Sequence, residues 1–125
     1  MLKAILLVSI GGAVGSSMRY LTSVFMHKWV SQLYPWGTFI ANMLGCFLIG
    51  IIMGYLSKTQ LNSDDYKLLL VTGFCGGYTT FSAFALENYT LWQQGNVIAA
   101  FTYISISVIG GLLAVFSGFA VIKLR

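Results

Sequence analysis

Three stretches of this chain contain no lysine, arginine, aspartate or glutamate: Trp29 to Ser57, Leu68 to Leu86 and Asn88 to Ile122. A helix needs roughly 20 mainly apolar residues to cross ~30 Å of hydrocarbon, so each stretch reads as a membrane span. Only 8% of the residues are charged, against about 25% in ordinary soluble domains. A chain of 125 residues buries one core at most and leaves a large surface. That surface cannot be kept in water by ten charges, seven basic and three acidic. A soluble globular domain is excluded, and the length fits one domain over residues 1–125.

The pattern predicts four spans. The first runs from about Leu2 to Met26, interrupted by Arg19, and reads as a retained helix because no small-x-small cleavage site leads into a polar region. A connection from His27 to Tyr34 follows, then Pro35, which suits the first turn of a helix. The second helix is expected over Trp36 to Leu56, and the third segment over Lys67 to Trp92 after a polar loop from Ser57 to Tyr66. Gln93-Gln94-Gly95-Asn96 makes a tight turn before a last helix from Val97 to Ile122. Trp29, Trp36 and Trp92 fall at segment ends, as do Tyr34, Tyr55, Tyr66 and Tyr89, the aromatic belts expected at two interfaces. Four spans put both termini on one side. That side collects Lys3, Lys58, Lys67, Lys123 and Arg125, and the positive-inside rule makes it cytoplasmic. Single basic residues at segment ends anchor headgroups and do not indicate a nucleic-acid partner.

Small residues recur at helical spacing: Gly11 with Gly15, Gly50 with Gly54, and Gly110, Ala114 and Gly118. They allow close helix approach in a membrane, within one subunit or between two. The third segment is the most informative. Gly76 and Gly77 stand next to Thr79 and Thr80 in mid-span, and paired glycines there favour a broken helix whose second half is capped by a hydroxyl. Irregular backbone at that depth must be buried in protein or line a wet cavity. A continuous but kinked helix is the alternative. Carbonyls freed at a break hold cations, and the restarting helix offers its positive end to an anion.

Phe81 and Phe84 share a helix face. Their ring edges carry partial positive charge that a small anion can touch, although packing alone also explains such spacing. Thr80 and Ser82 add hydroxyls nearby. Asn42, one turn after Thr38, is an amide deep in a span, either interhelical glue or a pore-lining donor. Tyr103 and Ser107 lie one turn apart in the last helix. Arg19 snorkels to the headgroups or faces a vestibule, and Glu87 is the one acid outside the polar loop. Cys46 and Cys75 have no metal-ligand or redox spacing. One histidine, with no paired acid and no Ser-His arrangement, gives no basis for an enzyme.

Three ordered motifs resemble the Fluc/CrcB family of fluoride channels across essentially the whole chain. They are Gly11-Gly12-Ala-Val-Gly15 with Arg19-Tyr20, Pro35-x-Gly37-Thr38 with Asn42-x-x-Gly45, and Gly73-Phe-Cys-Gly-Gly-Tyr-Thr-Thr-Phe-Ser-Ala-Phe84 followed by Glu87. The resemblance implies an all-α membrane protein whose third helix is broken. It also implies an antiparallel dual-topology dimer with two fluoride pathways, exporting fluoride passively through the plasma membrane of a prokaryote. On the same basis Phe81 and Phe84 line a pathway, Asn42 donates to the ion, and Thr38, Thr80, Ser82, Tyr103 and Ser107 extend the polar track. Arg19 and Glu87 would stand at its vestibules. A structural sodium ion on the dimer axis would be held by the backbone carbonyls of Gly76 and Thr79. Gly111 departs from the pattern, standing where some members carry serine. The five-to-one charge bias also exceeds what equal two-way insertion requires, which keeps a heterodimer with a paired homologue as an alternative to the homodimer. The rival function is a small four-span proton-coupled multidrug exporter, which needs an embedded carboxylate and has Glu87 alone to offer. A third reading is a non-transporting accessory subunit.

Overall fold

The computed structural model describes residues 1–30, 34–59 and 64–124. All the expected site residues are among them, whereas parts of both expected connections, residues 31–33 and 60–63, lie outside the described residues, as does Arg125. The spans are α1 (Leu2–Trp29), α2 (Trp36–Thr59), a divided third span, and α5 (Val97–Lys123). The third span comprises α3 (residues 64–78) and α4 (Phe81–Gln93), separated by Thr79 and Thr80. All four spans are long and apolar enough to cross a membrane.

Helix ends differ from expectation by up to one turn. His27 and Lys28 belong to the last turn of α1, and Lys58 to that of α2. Cations there complement the negative end of the helix dipole, so the chain stays helical through residues that composition alone assigns to loops. Pro35 stands just before α2, and its carbonyl accepts the Phe39 N–H at 3.1 Å. Several exposed hydroxyls inside the spans are satisfied locally: Ser17 donates to the Ala13 carbonyl at 2.8 Å and Thr22 to that of Met18 at 2.9 Å. Such bonding is what permits polar residues on faces turned towards lipid.

The helices pack as two parallel pairs, α1 with α3 and α2 with α5. Backbone contact explains both pairings. A Cβ at Gly11 would collide with the Leu69 carbonyl, and one at Gly15 with the Phe74 carbonyl. Gly50 and Gly118 face each other across α2 and α5, and a Cβ on either would strike backbone of the opposite helix. These small-residue motifs therefore act within one chain. An exposed Lys3–Asp65 ion pair joins the starts of α1 and α3.

From Lys67 to Cys75 α3 is a π-helix, an uncommon geometry that widens the turn by one residue. Periodicity gave no sign of it. The carbonyls that meet Gly11 and Gly15 come from this stretch.

The break lies two residues beyond the expected glycine pair. Gly76 and Gly77 are helical, while Thr79 (ψ 155°) and Thr80 (φ −150°) are extended. Gly77 is needed for proximity, because a Cβ there would collide with the Gly12 backbone; at Gly76 it would meet only the Val71 carbonyl at 3.7 Å. The helix divides at Thr80, whose hydroxyl takes the place of a backbone acceptor, while the Thr79 N–H keeps its helical bond to the Cys75 carbonyl at 2.9 Å. Thr79 Oγ1 donates to the Cys75 carbonyl at 2.9 Å, and Thr80 Oγ1 accepts the Ala83 N–H at 3.2 Å. Thr80 is thus the N-cap of α4. Thr80→Ala is expected to cost about 1 kcal/mol, read as a lower midpoint in thermal aggregation of the detergent-solubilised protein.

Candidate functional site: a polar groove at the helix break

The break is held from α2. Asn42 Nδ2 donates to the Thr80 carbonyl at 3.2 Å, and Asn42 Oδ1 accepts the Thr80 N–H at 2.8 Å. The bond to Oδ1 substitutes for the helical bond that the Thr80 N–H gives up. The pairing uses one hydrogen of the amide NH2 and leaves the second for another acceptor.

Asn42 opens onto a groove of about 270 Å³ lined also by Thr79, Thr80, Phe81, Phe84, Ser107, Met43 and Cys46. Five residues expected on the polar track therefore meet in one place: Asn42, Thr80, Phe81, Phe84 and Ser107. Ser82 adjoins them through its hydroxyl, 3.2 Å from that of Thr80. The rings of Phe81 and Phe84 have centroids 5.8 Å apart and are tilted by 43°. Phe81 is 80% exposed, which does not fit a ring that merely fills this subunit's core. Ser107 Oγ is buried and has no hydrogen-bond partner among the described residues. A buried hydroxyl without a partner costs free energy, and an anion in the groove would relieve it. Cys46 was not expected here, although its position one turn after Asn42 carried the signal.

A second polar cluster continues from the groove. Glu87 is half-buried, with Oε1 accepting from the Thr38 hydroxyl at 2.6 Å and Oε2 from the Tyr103 hydroxyl at 2.8 Å. Tyr103 is fully buried, and its ring meets Phe84 edge-on at 5.1 Å, linking the two clusters. The hydroxyls expected to face fluoride at Thr38 and Tyr103 are donated to Glu87 in this arrangement. Tyr34 packs on the far side of Tyr103 at 5.2 Å, and burial pushes its phenol up from its ordinary pKa.

Arg19 stands apart from both clusters. Its Nε donates to the Gly77 carbonyl at 3.2 Å, placing a guanidinium at the negative end of α3. Two neighbouring carbonyls have lost their usual helical donors. The Thr80 N–H, the helical partner of the Gly76 carbonyl, goes to Asn42, and the Ala83 N–H, the partner of the Thr79 carbonyl, goes to Thr80 Oγ1. Gly76 and Thr79 are the two positions expected to hold sodium. Hard oxygen donors of this kind suit a hard monovalent cation, so the residues fit the ion.

Comparison with known proteins adds an independent finding. Residues 6–119 match the family described as CrcB-like protein, Camphor Resistance (CrcB). A protein of Flavobacterium psychrophilum named fluoride-specific ion channel FluC is 46% identical over 122 residues, 98% of each chain. Proteins of the same name from Azobacteroides pseudotrichonymphae and Leptospira interrogans are 44% and 41% identical; the first match covers 95% of each chain, the second 97% of this chain and 95% of the relative.

Proposed function

This chain belongs to the CrcB family, and from that premise we propose that it is a fluoride-specific ion channel that exports fluoride passively and lowers its cytoplasmic concentration. It is a multi-pass protein of the bacterial plasma membrane with four apolar spans and is not an enzyme. The observation that supports the pathway best is the groove itself, where the Asn42 amide, two phenylalanine rings and the partnerless Ser107 hydroxyl converge. Fluoride is small and strongly hydrated, so a pore must replace its water with donors that still let it go. Neutral amide and hydroxyl donors with ring edges meet that requirement. A lysine or arginine in the groove would hold the ion too tightly, and the residues lining it include neither.

In this reading Asn42 and Ser107 donate to the ion, Thr80 and Ser82 extend the track, and Phe81 and Phe84 present their edges. Thr38, Tyr103 and Glu87 continue it beyond Phe84, and Arg19 and Glu87 stand at its vestibules. The exposure of Phe81 and the open side of the groove support assembly with a second copy of this chain, inserted antiparallel, that closes each pathway. Cross-linking of differently tagged copies separates the homodimer from a heterodimer with a homologue. The carbonyls of Gly76 and Thr79 would hold sodium at the dimer axis, where it supplies a positive charge for oxygens that lack their helical donors. Replacing sodium by N-methylglucamine is expected to lower the thermal stability of the dimer and its fluoride efflux together.

The direct test is fluoride efflux from liposomes containing this protein alone in sodium buffer. Efflux no faster than from empty vesicles overturns the homodimeric channel. Phe81→Ile is expected to slow efflux by roughly tenfold or more, about 1.4 kcal/mol or more in barrier terms. An unchanged rate refutes the assigned pathway. A proton-coupled exporter is not favoured, because the chain belongs to the CrcB family and its relatives carry the name fluoride-specific ion channel.

A further inference from the structure

Where the end of α1 meets the start of α2 and the last turns of α4, the chain forms a half-open cavity of about 320 Å³. Cavities of this order hold small organic ligands. Glu87 and Thr38 lie at its polar side, while Met26, Trp36 and Leu91 contribute apolar wall. The Glu87 carboxylate accepts one hydrogen bond on each oxygen, from Thr38 and from Tyr103. An ionised carboxylate has about four acceptor positions, so each oxygen keeps one. The residues lining the cavity include no lysine or arginine. Among the described residues the ion pairs join Lys3 to Asp65 and Lys67 to Asp64 and do not involve Glu87. His27 lines the same cavity and its charge bears on Glu87, but among the described residues it makes no ion pair with it, so the half-buried carboxylate keeps part of a buried charge's demand for a cation.

The cavity also has aromatic walls. The rings of Tyr34 and Trp36 line it with centroids 4.9 Å apart, tilted by 47°. Aromatic faces attract cations, and indole does so best. A planar guanidinium fits both features. Its N–H groups match the acceptor position that Oε1 retains beside Thr38 on the cavity wall, and its flat face stacks on aromatic rings. We propose that this cavity is a binding site for a small organic cation of the guanidinium class, held by Glu87 and by the Tyr34 and Trp36 rings. The site shares Glu87 and Thr38 with the end of the proposed fluoride pathway, but binding requires only the cavity and its carboxylate and does not rest on fluoride conduction.

The test uses methylguanidinium chloride as the probe on the purified, detergent-solubilised protein, with potassium chloride as a control at equal ionic strength and constant sodium. Methylguanidinium is expected to raise the unfolding midpoint saturably, by roughly 5 °C, while potassium gives no saturable rise. Glu87→Gln removes the charge and should abolish the shift. His27→Arg tethers a guanidinium beside the same cavity and should reduce the shift at least fivefold, which keeps the test decisive if Glu87→Gln does not fold. No saturable rise in the wild type, an equal rise with potassium, or an undiminished shift in the variants that fold overturns the proposal. A wild-type protein that binds methylguanidinium but passes no fluoride in liposomes supports this site and counts against the fluoride reading.

Discussion

Asn42→Asp is expected to reduce fluoride efflux at least 100-fold. In the native chain the Asn42 amide donates to the Thr80 carbonyl and accepts the Thr80 N–H. Aspartate keeps the acceptor and replaces the donor with an oxygen, so two acceptors face each other across 3.2 Å. It also introduces an unpaired negative charge into a groove proposed to carry an anion. Leaving a buried charge uncompensated costs about 3–5 kcal/mol, and 100-fold in rate corresponds to about 2.7 kcal/mol. Asn42→Ala separates the two contributions, since it removes the clamp without adding charge, and it should retain more efflux than Asn42→Asp. Reconstituted efflux, normalised to monodisperse protein recovered by size exclusion, reads both. Efflux from Asn42→Asp within twofold of the wild type would remove Asn42 from the pathway.

Gly15→Val should prevent the protein from accumulating in folded form. A Cβ at this position falls on the Phe74 carbonyl and within 2.9 Å of the Tyr78 backbone nitrogen. Neither neighbour is a flexible side chain that can turn away. The two helices would have to separate along the length where α1 meets the π-helical part of α3. Overpacking typically costs about 1–3 kcal/mol, and backbone collision in a parallel helix pair belongs at or above the upper end. Gly76→Ala is the comparison, because its Cβ meets nothing closer than 3.7 Å and the protein should fold normally. The yield of monodisperse protein distinguishes them. Wild-type yield from Gly15→Val would contradict the α1–α3 packing.

Much of the candidate site is legible in the sequence. Asn42, Phe81, Phe84, Thr80 and Ser107 are scarce polar groups or aligned rings in apolar spans, and they meet in one groove. The hydroxyl cap on α4 was also anticipated, because threonine at a helix start offers an acceptor to a free N–H. The position of the break was not. Gly76 and Gly77 carry the conventional signal for irregular backbone, yet they remain helical, and Gly77 lacks a side chain for the sake of Gly12. Local propensity ranked the glycines above the threonines, whereas the Asn42 clamp, 38 residues away in sequence, decided between them. The Glu87 cluster was hidden for the same reason. Thr38, Glu87 and Tyr103 come from three spans, and nothing in their spacing pairs them.

By itself the sequence determined the membrane as solvent, the number of spans and the identity of the few polar groups that must find partners there. These follow from transfer free energy, which depends on composition along a segment and little on what the segment packs against. Only the tertiary structure decided which groups satisfy each other. It paired Asn42 with a broken backbone, gave the Thr38 and Tyr103 hydroxyls to Glu87, set Arg19 on the Gly77 carbonyl and left Ser107 without a partner among the described residues. Hydrogen bonds are short and directional, so such pairings depend on helix approach to within a fraction of an ångström. In this chain that approach is set by glycine contacts between spans.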